Sequence, residues 1–410
     1  MKKLVLILTM IVLVGCDDLS DNPNNQVNDF TFESFYEFKI ALTDLAKSPP
    51  INNDNIYSDL LDTLEGRNQI PFVFEDSVCF LYYGDNFSVS WAGDFNGWSV
   101  SSSDCQGTEI GNTNLWILEK KFPLDARLDY KIVKDGSWIL DPRNNYTQMS
   151  GFGPNSELRM PNWEFPEETI LQEGVNRGTF SDNFQIQSIP ANLNYTVQYK
   201  VYTPYGYDGL SNLPVIYVTD GHEYADDEKG AMIIVLDNLI YNNQIDPVIA
   251  VFIDPREPGN LNNNRRGDEY TANINYANFV ANELVPEIDA NYKTNPSADA
   301  RAILGTSLGG WNSAYFGYTK SDIFHLIGIH SPAFDDNIIS NYSNSAKLPL
   351  KIYMSTGVIH DTEERARAMK IVFDDKDYPL QYKEVNEGHS WGNWRALIDE
   401  PLIYFFPKSN

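Results

Sequence analysis

The sequence predicts a mostly parallel, doubly wound α/β domain over residues 171–410, preceded by an all-β sandwich over residues 67–160. Two observations predict this. From Tyr195 onward, short apolar runs alternate with amphipathic stretches, which is the βαβα series of a parallel sheet. From about Pro71, apolar and polar residues alternate between clusters of Asp, Asn and Gly, which is the pattern of antiparallel strands and turns. A chain of 410 residues is also too long for one ordinary core.

The N-terminus reads first as an address. Lys2 and Lys3 precede an apolar run of 11 residues, Leu4 to Val14, so residues 1–15 have the form of a signal peptide. That run is too short to cross a bilayer core of about 30 Å as a helix. Leu13-Val14-Gly15-Cys16 resembles the bacterial lipobox, which implies that Cys16 becomes the lipidated first residue of an exported, membrane-anchored lipoprotein. The periplasmic face and the cell surface both stay open. Residues 16–29 are polar enough to serve as a flexible tether. In residues 30–66, Phe35, Phe38, Leu42 and Leu45 recur at helical spacing, predicting a short helical segment. The remaining cysteines, Cys79 and Cys105, could form one disulfide in an oxidising compartment, and the sequence does not decide it.

In the sandwich, Phe87, Val89 and Trp91 share one strand face, a turn follows at Gly93-Asp94-Phe95-Asn96-Gly97-Trp98, and strands are expected at 115–122 and 127–134. Such a domain has the look of an immunoglobulin-like sandwich. The turn and the segment from Leu128 to Trp138 resemble the glycogen-binding module of AMP-activated kinase β subunits and of starch-branching and debranching enzymes. The resemblance implies carbohydrate binding by Trp98, Lys131 and Trp138: an indole stacks on a pyranose face, and an ammonium donates to its hydroxyls. The same sandwich can also be a purely structural appendage. Residues 161–170 read as an ordered linker.

The α/β domain carries the chemistry. Strands are expected at 213–218, 248–253, 301–304, 326–329 and 350–355, with helices at 230–241, 276–292, 311–320 and 362–373. Ligands of such sheets collect at the carboxyl ends of the strands. One strand there leads into Gly305-Thr306-Ser307-Leu308-Gly309, a G-x-S-x-G between strand and helix that fits the nucleophile elbow of an α/β-hydrolase. Ser307 needs a base and an acid, which follow it in the order acid, then His. Of the five His, His389 has a Gly before it and an expected helix after it, which places it on a loop, whereas His325 and His330 flank a strand as structural residues would. Asp361 follows the preceding strand and is the expected acid, with Glu363 and Glu364 as fallbacks. It could instead cap the next helix, with Glu364 completing a capping box. The main-chain N–H of Leu308 and one from Gly221-His222 are the expected oxyanion donors.

Val215 to Gly221, Arg265 to Tyr270, Glu283 to Asp289, Gly305 to Gly310 and Gly388 to Arg395 together resemble the enterochelin esterase-like esterase family. That family overlaps carbohydrate esterase family 1, which includes feruloyl and acetylxylan esterases. The resemblance implies a serine esterase, with Arg266, Glu269 and Trp394 as candidate substrate-contacting residues; Arg266 and Glu269 match a recurrent family pattern that either shapes the acyl pocket or pairs structurally, and the sequence does not decide it. Three functions follow as expectations. The first is release of feruloyl or acetyl groups from glycan esters. The second is hydrolysis of a siderophore trilactone, where Arg265 and Arg266 would attract an anionic catecholate. The third is a non-catalytic glycan-binding lipoprotein. No metal or organic cofactor is implied. With 57 acidic and 30 basic residues, the net charge of -27 argues against nucleic-acid partners, and oligomeric state is not readable.

Overall fold

The computed structural model describes residues 30–47 and 56–409. The expected signal peptide, tether and lipidation site at Cys16 lie outside the described residues. The helical N-terminal segment forms α1 (Phe35–Lys47) and α2 (Ser58–Gly66). Their apolar stripes, including Phe38, Leu42, Leu60 and Leu64, pack on Phe72, Cys79, Leu81 and Leu115 of the sandwich.

Nine strands build that sandwich: β1 (Phe72–Phe74), β2 (Ser77–Tyr83), β3 (Val89–Gly93), β4 (Thr108–Glu109), β5 (Leu115–Lys121), β6 (Arg127–Lys134), β7 (Ser137–Ile139), β8 (Thr147–Ser150) and β9 (Gly153–Arg159). One sheet runs β1-β2-β5-β4 and the other β3-β6-β9-β8, with β7 beside β6. Val78 and Phe80 of the first share a core with Trp91, Leu128, Tyr130 and Ile132 of the second. Side chains alternate across a strand, so Cys79 and Leu81 of β2 face the opposite way, under α1 and α2. Burial of both faces makes β2 a continuous apolar run with no alternation, which hid it from the periodicity reading. Cys79 and Cys105 are both buried and unpaired, so the disulfide is not formed.

The α/β domain holds a nine-stranded sheet. Its strands are β10 (Thr179–Phe180), β11 (Phe184–Gln187), β12 (Thr196–Thr203), β13 (Val215–Val218), β14 (Ile249–Asp254), and, after the small hairpin β15 (Arg256–Glu257) and β16 (Asn260–Asn264), β17 (Arg301–Thr306), β18 (Leu326–His330), β19 (Lys351–Gly357) and β20 (Leu380–Val385). The order is β10-β12-β14-β13-β17-β18-β19-β20, with β11 on β12, and the six strands from β14 to β20 are parallel. One face, through Tyr217, Ile303, Ile327 and Ile352, packs on Phe279, Phe316 and Met369. The other, through Ile216, Val218, Leu304 and Tyr353, packs on Met232, Leu236, Trp391 and Leu402.

The helices are α3 (Gly221–Tyr224), α4 (Met232–Tyr241), α5 (Arg266–Tyr270), α6 (Ile274–Phe279), α7 (Val285–Asn291), α8 (Leu308–Thr319), α9 (Asp336–Asn344), α10 (Glu363–Asp375), α11 (Trp391–Arg395) and α12 (Asp399–Phe405). The single helix expected over 276–292 is instead α6 and α7 joined by a π segment, Val280–Leu284. Pro286 in the first turn of α7 has no N–H and would crowd the carbonyl four residues back, and the widened turn before it accommodates both.

Candidate active site

β17 occupies the middle of the parallel sheet and ends at Ser307, which sits at φ 58, ψ -118 before α8 begins at Leu308. This backbone conformation is rare for a side-chain-bearing residue, and it aims the hydroxyl away from the sheet. The two flanking glycines make the turn possible. A Cβ on Gly305 would run into Thr219 Oγ1 and the main chain of Gly309, so strand and helix pass too closely for any other residue.

Three strand ends then converge on Ser307. His389, on the loop between β20 and α11, brings Nε2 to 2.9 Å from Ser307 Oγ. Its Nδ1 lies 2.6 Å from Oδ1 of Asp361, which follows β19 and whose side chain is fully buried. The second carboxylate oxygen accepts from Gly357 N–H and from Ser331 Oγ, each at 2.6 Å. Asp361 therefore does not cap α10, which starts at Glu363 behind Thr362 without a side-chain cap. Ser331, directly after β18, also accepts the indole N–H of Trp394 at 2.9 Å, and that indole meets the His389 ring edge to face. Position at the sheet's carboxyl edge is the signal that could have singled out Ser331. His330 and His325 are structural as expected. His330 is buried against Ser355 and pushed down to about 3 by that burial, while His325 contacts Asp299.

A cavity of about 740 Å³ opens over Ser307 and His389, and both domains wall it. The α/β domain supplies Glu223, Arg266, His360, Trp391 and Trp394, and the sandwich supplies Asp94, Trp98, Lys131, Trp138 and Phe152. The indoles of Trp98 and Trp138 are near parallel, 21° apart with centroids at 6.4 Å. Trp98 Nε1 donates to Asp94, whose buried carboxyl is pushed above the usual carboxylate range by desolvation and by the nearby Asp129 charge. Phe152, at the tip of the β8–β9 hairpin, is 99% exposed. Sequence reasoning missed Phe152 and Asp94, whose positions depend on how the sandwich docks.

The other expected residues divide. Arg266 lines the cavity, but its Nε donates to both oxygens of Asp220 at 2.9 and 2.8 Å. Arg265 pairs with Glu257 at 3.0 Å and stacks on Tyr195. Neither guanidinium is a free cation awaiting an anionic substrate, which corrects that expectation. Glu269 is buried, accepts a hydrogen bond from Tyr195 Oη at 2.8 Å and is pushed up to about 8 by desolvation. It pairs structurally and is not among the residues walling the cavity, so of its two expected roles the substrate-contacting one is corrected. The Lys131 ammonium makes no hydrogen bond or ion pair with any described residue, so it remains available in the cavity. Leu308 and Gly221 each open a helix, where N–H groups lack intrahelical acceptors. The His222 ring turns instead toward Asp254, 3.4 Å away in the wall of a second cavity that Gly221 also lines, leaving only its main chain as a possible donor.

Residues 191–405, just over half of the chain, match the family described as "Putative esterase". The chain belongs to this esterase family. It is accordingly a carboxylic ester hydrolase. The esterase is 26% identical to the uncharacterised protein YjcH of Bacillus subtilis over 224 residues, which cover 51% of this chain and 91% of that protein. It is 24% identical over 229 residues to an endo-1,4-beta-xylanase/feruloyl esterase of Xylanibacter ruminicola, covering 53% of this chain and 30% of that longer protein. The crystal structure of the enterobactin esterase from Shigella flexneri, solved in the presence of enterobactin, matches with a TM-score of 0.66 at 19% identity. That match covers 80% of this chain and 92% of the other, more than the α/β domain alone could supply, and it is a likeness of fold.

Proposed function

We propose that this esterase releases acyl groups, such as feruloyl or acetyl, from polysaccharide or oligosaccharide esters through an acyl-enzyme on Ser307. The observation that carries this reading is that Trp98, Lys131 and Trp138 open into the same cavity as Ser307. Two near-parallel indoles offer apolar faces to a sugar ring, and Lys131 offers N–H donors to its hydroxyls. In the first half-reaction, His389 Nε2 takes the Ser307 proton as Oγ bonds to the ester carbon. Asp361 orients the ring through Nδ1 and stabilises its imidazolium form. The Leu308 N–H, with a main-chain N–H of Gly221 or His222, holds the negative carbonyl oxygen. Collapse breaks the ester C–O bond, and His389 returns the proton to the leaving alcohol. Water, deprotonated by the same ring, then releases the acid and restores Ser307.

Product release from feruloylated arabinoxylan, acetylated xylan and a catecholate trilactone, compared with the Ser307→Ala variant, tests the reading. Ser307-dependent release from a glycan supports it, and cleavage of the trilactone alone would replace it. That second reading is favoured by the unpaired Lys131 ammonium, which would equally attract a catecholate. Under the glycan reading, Trp98→Ala and Trp138→Ala are each expected to lower kcat/KM on the glycan ester by about tenfold. The loss on p-nitrophenyl acetate is expected to be smaller, a difference that steady-state kinetics on the two substrates measures. The proposal includes export and lipid anchoring through Cys16, supported by the basic, apolar and Gly15-Cys16 sequence ahead of the tether. Palmitate incorporation lost in Cys16→Ala is the expected result, and incorporation unchanged in that variant would remove the anchor.

A further inference from the structure

The loop that carries His389 is held largely by the other domain. Arg127, at the start of β6 in the sandwich, is wholly buried and spans the boundary. Within its own domain it pairs with Asp129 at 2.5 Å and Glu157 at 2.6 Å. Across the boundary its Nη1 donates to Ser390 Oγ at 3.2 Å and lies 3.7 Å from Glu387, while its main-chain N–H donates to the Asn386 carbonyl at 3.3 Å. These partners flank His389 on both sides.

The fit leaves no slack. A Cβ on Gly388 would collide with the Asp94 side chain, and one on Gly392 with the Arg127 guanidinium. Glu387 is buried: Oε1 accepts the Trp163 indole N–H at 3.2 Å, and Oε2 has no hydrogen bond at all, only the Arg127 charge. The acid loop is tied in as well. Ile359 packs on the sandwich core, and its N–H donates to the Glu387 carbonyl at 3.1 Å. From its own domain, the His389 loop receives Asn393 Nδ2 on the Gly388 carbonyl and the Trp394 ring against His389.

A buried ion cluster adds little net stability, because desolvation offsets the Coulomb attraction. What it supplies here is direction. A guanidinium fork fixes its partners in one plane, whereas an ammonium does not. We infer that Arg127 is a positioning residue for His389: it holds residues 386–390 so that Nε2 meets Ser307, making the sandwich domain part of the esterase's catalytic machinery. The inference rests on the reading of Ser307, His389 and Asp361 as the catalytic triad.

The test uses the full chain with Arg127→Lys, Glu387→Gln and Ser390→Ala, and Ser307→Ala as the control. Lysine keeps the charge between Asp129 and Glu157 but loses the fork that crosses the boundary. The positioning role predicts that kcat on p-nitrophenyl acetate falls about 10- to 100-fold in Arg127→Lys, with KM within about twofold. Labelling by a serine-directed phosphonate slows in parallel. The Arg127→Lys/Glu387→Gln double variant loses less than the product of the single losses, since both break one contact. Folded variants that keep the parental kcat would overturn the inference. Should Arg127→Lys fail to fold, Glu387→Gln and Ser390→Ala decide it from the loop side, where unchanged kcat in both overturns it. An active Ser307→Ala enzyme would instead overturn the triad reading beneath it.

Discussion

Replacing Ser307 with alanine is expected to lower kcat for ester hydrolysis by about five orders of magnitude while leaving KM near its parental value. Ser307 Oγ is the group His389 Nε2 faces at 2.9 Å, and alanine offers nothing for that ring to activate. What remains is catalysis by the oxyanion donors and the cavity acting on unactivated water. The fold tolerates the change, because the strain at φ 58 belongs to the backbone and the flanking glycines stay in place. Saturation kinetics, with an unfolding midpoint measured alongside, checks both halves of the expectation.

Asp361→Asn carries the second large effect, a loss in kcat of about 10⁴-fold with the active-site geometry preserved. The native carboxylate accepts at 2.6 Å from three donors, His389 Nδ1–H, Gly357 N–H and Ser331 Oγ–H, with Thr356 Oγ1 and Asn393 Nδ2 farther off at 3.4 and 3.5 Å. An asparagine has one acceptor oxygen. If that oxygen stays with Gly357 and Ser331, its NH₂ group faces His389 Nδ1 and forces the ring proton onto Nε2. An Nε2–H cannot accept the Ser307 proton, so the base is lost although every atom stays near its place. Steady-state rates of the folded variant test this, and a loss of less than tenfold would assign Asp361 a structural role.

The proposed catalytic residues were legible chiefly through one rule, that ligand-handling side chains sit where parallel strands end. β17 and β19 are short apolar runs that lead to Ser307 and Asp361, whereas β20 (Leu-Gln-Tyr-Lys-Glu-Val) is half polar and was not expected, so His389 was legible only from Gly388 before it and a helix after it. The ambiguity at Asp361 was real, since a helix does start two residues later. Only the geometry of its carboxylate distinguishes a triad acid from a cap. Trp98, Lys131 and Trp138 could be picked out by their strand and turn context, but nothing local says that they face Ser307.

Charge pairing was the least legible layer. Arg265 and Arg266 look like free cations in the sequence, yet Glu257 and Asp220 neutralise them, and Glu269 is withdrawn to Tyr195. Arg127 and Ser390 are 263 residues apart, and no periodicity or motif links them. Such contacts are set by domain docking, after each domain's pattern has been satisfied.

The most direct test of the central claim is reaction of the purified protein with a serine-directed phosphonate, followed by peptide mapping of the adduct. One adduct is expected, on Ser307, formed far more slowly when His389 is replaced by alanine. Failure to label, or an adduct on a different serine such as Ser331 or Ser390, would contradict it.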